Sequence, residues 1–216
     1  MDYGMMLSKL GGGMVTTVVI FGLTLLFSLP LGMIVAFGRM SKGPLVRNLT
    51  KIYISIMRGT PLMLQIMMVY YGPYYLFRIQ ISSSYRFAAV IIAFAINYAA
   101  YFAEIYRGGI ESMPRGQYEA AKLLGYTKGQ TFLRIILPQV IKRILPSVTN
   151  EIITLVKDTS LAMVIAVMEM FTISKALASS STSAIPYVAA GIFYYIFNYL
   201  VAWTMEKIEE KLNYYR

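Results

Sequence analysis

Apolar residues run in long blocks along this chain, and polar residues gather in short stretches between them. Runs of about 18 residues or more can cross the hydrocarbon of a bilayer as helices. The pattern predicts such spans at 14–37, 52–75, 87–106, 144–171 and 185–204. The second is interrupted by Arg58-Gly59-Thr60-Pro61, where glycine and proline are expected to break or kink the helix near its inner end. The fourth is apolar apart from Glu151, Lys157, Asp158 and Glu169, and yields a sixth span if it divides into two half-helices. Gly11-Gly12-Gly13 reads as a flexible lead-in and the Ser/Thr-rich stretch 178–184 as an outer loop. Tyr70, Tyr71, Tyr74 and Tyr75 read as an outer aromatic belt, and Met63, Met67 and Met68 as soft packing or lipid-facing residues.

Composition strengthens this reading. With 57% hydrophobic and 14% charged residues, 216 residues are too apolar for an ordinary soluble domain, and residues 1–216 read as one all-α membrane domain. Cysteine and histidine are both absent, which removes disulfides, thiol chemistry and the usual soft metal ligands, so redox and zinc functions are excluded. The start, with Asp2 and Lys9 and no small-residue cleavage site, predicts a retained first span.

Charge sets the orientation. The net charge of +10 lies in short loops between apolar runs, which argues against a nucleic-acid surface. Arg39, Lys42, Arg47 and Lys51 have no acid among them, and 107–143 holds seven Lys/Arg against two acids. Basic loops stay in the cytoplasm, so five spans run from an outer N-terminus to an inner C-terminus and the charged tail of Glu206, Lys207, Glu209, Glu210, Lys211 and Arg216. No internal repeat is evident, which suggests half of a dimeric pore.

Three constellations stand out. In the long inner loop, Glu119-Ala120-Ala121-Lys122-Leu123-Leu124-Gly125 predicts a short amphipathic helix closed by a glycine turn, and a second short helix should end at Pro138. Ala120, Ala121, Leu124 and Tyr126 form an apolar ridge suited either to a groove on a partner or to the lipid headgroups. Asn97, Tyr101 and Glu104, spaced i, i+4, i+7, share one face of the third span. They fit either a polar cavity or interhelical hydrogen bonds, and Glu104 also has Arg107 one turn away. Lys157-Asp158-Thr159-Ser160 interrupts an apolar stretch, which suggests either a local unwinding around a zwitterion-sized site or a structural Lys–Asp pair. Two acids, Glu104 and Asp158, against one Lys157 tilt the site toward a basic or amide-bearing amino acid; Glu151 and Glu169 are placed outside it, Glu169 toward the outer interface. Arg58-Gly59-Thr60-Pro61 is assigned a structural, headgroup-anchoring role.

Glu-Ala-Ala, three residues, Gly, nine residues and Ile-x-Leu-Pro at 119–138 resembles the cytoplasmic signature of permease subunits of bacterial binding-protein-dependent ABC importers, with every position filled. Arg58-Gly59-Thr60-Pro61-Leu62, Tyr106-Arg107-Gly108-Gly109-Ile110, Gln117-Tyr118-Glu119 and Lys157-Asp158-Thr159-Ser160-Leu161 look like the polar-amino-acid branch of that family. The resemblance implies that Glu119, Ala120, Ala121 and Gly125 dock on a separate ATPase subunit, present in two copies and holding the ATP and Mg. No cofactor is expected in this chain, which lacks a Gly-x4-Gly-Lys-Ser/Thr loop. It further implies a second permease copy or a related permease, an external or periplasmic solute-binding protein, and an amino-acid site drawn from Asn97, Tyr101, Glu104, Lys157, Asp158, Ser160 and Leu161. A stand-alone channel or ion-coupled transporter would also place Glu104 and Asp158 in the membrane, but leaves the amphipathic inner loop without a role. A membrane enzyme would need a base beside Ser160, and without histidine only Lys157 is near.

Overall fold

The computed structural model describes residues 3–212, so Asp2 and Arg216 of the charged termini lie outside them. Among the described residues there is no strand, and short turns connect helices α1 (Tyr3–Arg39), α2 (Pro44–Gly59), α3 (Leu62–Phe77), α4 (Tyr85–Glu111), α5 (Arg115–Leu123), α6 (Lys128–Gln130), α7 (Leu137–Asp158), α8 (Met170–Ser181) and α9 (Ile185–Leu212). Helices α1, α4 and α9 are each long and apolar enough to cross a membrane, and the total reaches five if the bent pairs α2–α3 and 128–165 with α8 each count as one span.

The centre of the fold is the pairing of α1 with α4. Alanines 89, 93, 99, 100 and 103 keep one side of α4 narrow, and Phe94, Tyr98 and Phe102 fill the remaining space as buried aromatics. On α1, Gly32 permits the closest approach: a Cβ there would stand 2.8 Å from the Phe102 Cβ and 3.1 Å from the Ala99 carbonyl oxygen. Small residues that let backbones meet are the usual basis of helix packing in lipid, where the hydrophobic effect does not drive association.

Several boundaries differ from the sequence expectation, each for a local reason. Gly11–Gly13 is not a loose lead-in but part of α1, because α8 packs there. A Cβ on Gly13 would lie 2.9 Å from the Met170 Cα. Residues 44–51 are helical rather than loop, since Pro44 at the first turn starts α2. The break expected at Arg58–Pro61 is present, and it turns the chain by 110° between α2 and α3. Pro138 does not end a helix. A π-helical turn over Thr131–Ile136 runs directly into α7, and Pro138 falls in the first turn of α7.

The fourth span breaks later than Lys157-Asp158. Helix α7 runs through Asp158, tightens to a 3-10 helix over Thr159–Ile165, and turns at Ala166, whose φ of 55° is left-handed. After a 58° bend, α8 begins at Met170, and Glu169 at its N-cap is fully buried within the bundle. Its carboxylate caps α8 by accepting from the Phe171 and Thr172 N–H groups and the Thr172 hydroxyl at 2.6–2.7 Å, and Tyr194 of α9 donates at 3.0 Å. Most of 178–184 belongs to α8 rather than to a loop, which ends at left-handed Thr182. Tyr71, Tyr74 and Tyr75 are exposed as an aromatic belt would be, whereas Tyr70 is buried and stacks on Tyr85.

Candidate functional site

Helices α4 and α7 meet the α2–α3 bend around a cavity of about 110 Å3 lined by Thr60, Leu62, Asn97, Tyr98, Tyr101, Glu151, Thr154 and Asp158. Helical spacing explains the lining. Asn97, Tyr98 and Tyr101 sit within one turn of α4, and Glu151, Thr154 and Asp158 recur at i, i+3, i+7 on α7. Two carboxylates therefore face two phenol rings and a carboxamide.

The α2–α3 bend is held open as a wall by hydrogen bonds. Gln65 of α3 donates to the Met57 and Thr60 carbonyls and to the Thr60 hydroxyl. Asn97 donates to the Met57 carbonyl at 3.0 Å and to the Gln65 carboxamide oxygen at 2.9 Å, and the Tyr53 hydroxyl donates to the Ile96 carbonyl. Asn97 thus lines the cavity and also braces its wall. Across the cavity, the Tyr98 hydroxyl donates to the Asp158 carboxylate at 2.7 Å. On the bend itself, the Arg58 guanidinium lies over the Tyr101 ring, 5.3 Å from its centroid.

Of the residues expected from sequence, Asn97, Tyr101 and Asp158 come together here. Glu104 does not line the cavity. One helical turn further along α4, it takes a bidentate pair from Arg107 at 2.6 and 3.1 Å and faces Arg39 at 3.9 Å, while Arg107 also pairs with Glu111. Its charge is already compensated within the chain. Lys157, Ser160 and Leu161 also lie off the cavity: Lys157 is exposed, and the Ser160 hydroxyl donates to the Lys157 carbonyl at 2.8 Å. One residue of helical rotation separates Lys157 from Asp158 by about 100°, so adjacent positions do not share a face.

Glu151, placed outside the site on sequence, is part of it, together with Tyr98, Thr154, Thr60 and Leu62. The signal for Glu151 was its seven-residue spacing from Asp158, which keeps both on one face because α7 remains helical between them. Gln65, a lone polar residue in the first turn of apolar α3, carried a similar signal for the braced bend.

Beyond the end of α4, α5 stands out from the bundle. Ala121 is buried at its foot, while Glu119, Ala120, Leu123, Leu124 and Gly125 are exposed. The exposed ridge therefore runs through Leu123 and Leu124 rather than Ala121. The helix closes with a Schellman turn: Gly125, at φ 80°, donates to the Lys122 carbonyl and Tyr126 to the Ala121 carbonyl. A capping box between Thr127 and Gln130 then starts the next helix. The side-chain amides of Gln117 and Gln139 exchange two hydrogen bonds, at 2.8 and 2.6 Å, and join α5 to α7.

Known proteins share this architecture. The L-cystine transport system permease protein TcyL of Bacillus subtilis (strain 168) is 39% identical over 201 residues, covering 91% of this chain and 84% of that protein. The octopine transport system permease protein OccM of Rhizobium radiobacter is 40% identical over 186 residues, covering 82% and 76%. A chain from the crystal structure of an amino acid ABC transporter with histidines superposes with a TM-score of 0.86 at 29% identity, over 98% of this chain and 99% of that one. The family model described as binding-protein-dependent transport system inner membrane component matches residues 28–214, and the chain belongs to that family.

Proposed function

We propose that this chain is the membrane subunit of an ATP-driven importer of polar amino acids, with a preference for those whose side chains are cationic or hydrogen-bonding. The observation that carries the reading is the cavity between α4 and α7, in which the Glu151 and Asp158 carboxylates stand beside Tyr98, Tyr101 and Asn97. An ammonium or guanidinium group finds acceptors there, and two acids within one small cavity favour a cation. Relatives named for cystine and octopine transport support the amino-acid class, since both molecules carry amino and carboxylate groups.

ATP is hydrolysed on separate subunits, two per complex, docked on the exposed ridge of α5 around Glu119, Ala120 and Gly125. The Gln117–Gln139 pair links that ridge to α7, whose far half lines the cavity. Motion of α5 with the ATPases would then tilt α7 against α4 and expose the cavity alternately to the two sides. A second copy of the chain completes the pore, and an external solute-binding protein delivers the solute. The stretch 39–58 and the loop carrying α5 face the cytoplasm, in keeping with their basic charge.

The test is ATP hydrolysis by the chain co-purified with its ATPase in lipid nanodiscs, with the solute-binding protein loaded by each of a panel of amino acids. Stimulation by one polar amino acid and not by apolar ones is expected. Equal hydrolysis with loaded and empty binding protein would refute the coupling, and stimulation by apolar amino acids alone would refute the substrate class.

A further inference from the structure

We infer that Arg58 is a substrate-binding residue that receives the carboxylate of the transported solute at the inner mouth of the cavity. This rests on the amino-acid reading above and adds the orientation of the solute and a second anchoring charge.

Helix α2 has two clean faces. Arg47, Lys51 and Arg58 fall at i, i+4 and i+11, flanked by Asn48 and Ser55, while Leu45, Leu49, Ile52 and Ile56 lie on the opposite side. All nine side chains are exposed in the single chain. The apolar face suits lipid or another apolar helix. The polar face, with three cations and no acid, requires water. It leads along α2 to the 110° bend, where Thr60 and Leu62 form the cavity wall. Arg58 is the last cation on this stripe, beside that wall.

Its guanidinium is available to a ligand. Among the described residues it makes no hydrogen bond or ion pair, and it lies over the ring of Tyr101, a cavity residue, at 5.3 Å from the centroid. The ring fixes the plane of the guanidinium and leaves its edge donors free. Glu104 and Glu151 both lie within electrostatic reach of Arg58, yet neither pairs with it, and Glu104 is committed to Arg107 and Arg39. A planar fork of N–H donors next to a cavity that holds Glu151 and Asp158, neither of them in an ion pair among the described residues, complements a molecule with a carboxylate at one end and a cation at the other. Lys157, the one cation of the site expected from sequence, does not line the cavity. The solute then lies with its carboxylate toward α2 and its ammonium or cationic side chain toward α7.

The test compares lysine with cadaverine, the same diamine skeleton without the carboxylate, for direct binding to the permease–ATPase complex in nanodiscs. The parent complex is expected to bind lysine at least about 10-fold more tightly, the range for a hydrogen bond to a charged group. Arg58→Gln should bring lysine down to the cadaverine level and leave cadaverine unchanged, whereas Arg58→Lys should retain part of the discrimination. Arg47→Gln, on the same stripe but farther from the cavity, should leave it intact. Thermal unfolding of each complex identifies any variant that fails to fold. If the parent binds lysine and Arg58→Gln preserves the discrimination, the assignment to Arg58 is overturned while the amino-acid reading stands. If the folded parent binds no amino acid of the panel, that broader reading fails first, and this one with it.

Discussion

Tyr98 and Asp158 are joined across the cavity by one hydrogen bond of 2.7 Å, which ties the middle of α4 to the last residue of α7. Tyr98 is almost fully buried and its ring packs among Phe94, Tyr101 and Phe102, so its hydroxyl has a fixed position from which to hold the carboxylate. The bond joins the two helices that must separate or slide if the cavity opens to alternate sides.

Tyr98→Phe keeps the ring packing and removes the donor. The expected loss of stability is about 1–3 kcal/mol, as for a hydrogen bond to a charged group, visible as a lower unfolding temperature of the purified complex. Solute affinity should change in the same variant, because the freed carboxylate faces the cavity. An unfolding temperature equal to that of the parent would show that the bond contributes nothing net.

The Gln117–Gln139 amide pair should act as a transmission element rather than a fold determinant. Gln117→Leu or Gln139→Leu alone leaves one carboxamide without its partner, at a cost of about 1 kcal/mol. Either change should reduce the ATPase stimulation caused by loaded binding protein more than it reduces basal hydrolysis. A double-mutant cycle on the stimulated rate checks the assignment, and strict additivity of the two changes would mean the pair does not couple.

Neighbouring glycines of α1 should respond in opposite ways to the same substitution. Gly13→Ala drives a Cβ into Ile173 and the Met170 backbone at 2.8–3.0 Å and is expected to cost about 1–3 kcal/mol. Gly12→Ala meets nothing within 4 Å and should be neutral or slightly stabilising, since alanine favours the helix. Thermal unfolding of the two variants side by side decides the matter, and equal melting would show that α1 and α8 do not pack tightly there.

The helical class and the glycine turn after α5 were legible in the sequence because each rests on local composition or spacing. Apolar length predicts α4 and α9 well, and Gly125 needed only its conformational freedom to mark the end of a helix. The lining of the candidate cavity was half legible. Asn97, Tyr101 and Asp158 share the cavity because polar residues at helical spacing in an apolar span face the same way. Glu104 met that rule too, yet Arg107 three residues on and Arg39 from another helix neutralise it, and the contact with Arg39 is tertiary. Glu151 was excluded on the expectation that α7 unwinds at Lys157, whereas the helix persists through Asp158 and keeps both acids on one face. The role proposed for Arg58 depends on a 110° bend, and the sequence indicates a break there but not its angle.

The cavity carboxylates offer the most direct test of the account. Complexes carrying Glu151→Gln, Asp158→Asn or Lys157→Gln, each with parental thermal stability, would be reconstituted with the ATPase and solute-binding protein, and ATP-dependent uptake of radiolabelled basic and neutral polar amino acids measured. Both carboxylate changes should lower uptake of the basic amino acids about 10-fold or more, the cost of one lost charge-assisted contact, while Lys157→Gln should leave it near the parental rate. Parental uptake by both carboxylate variants, or loss confined to Lys157→Gln, would show that the solute does not pass through this cavity.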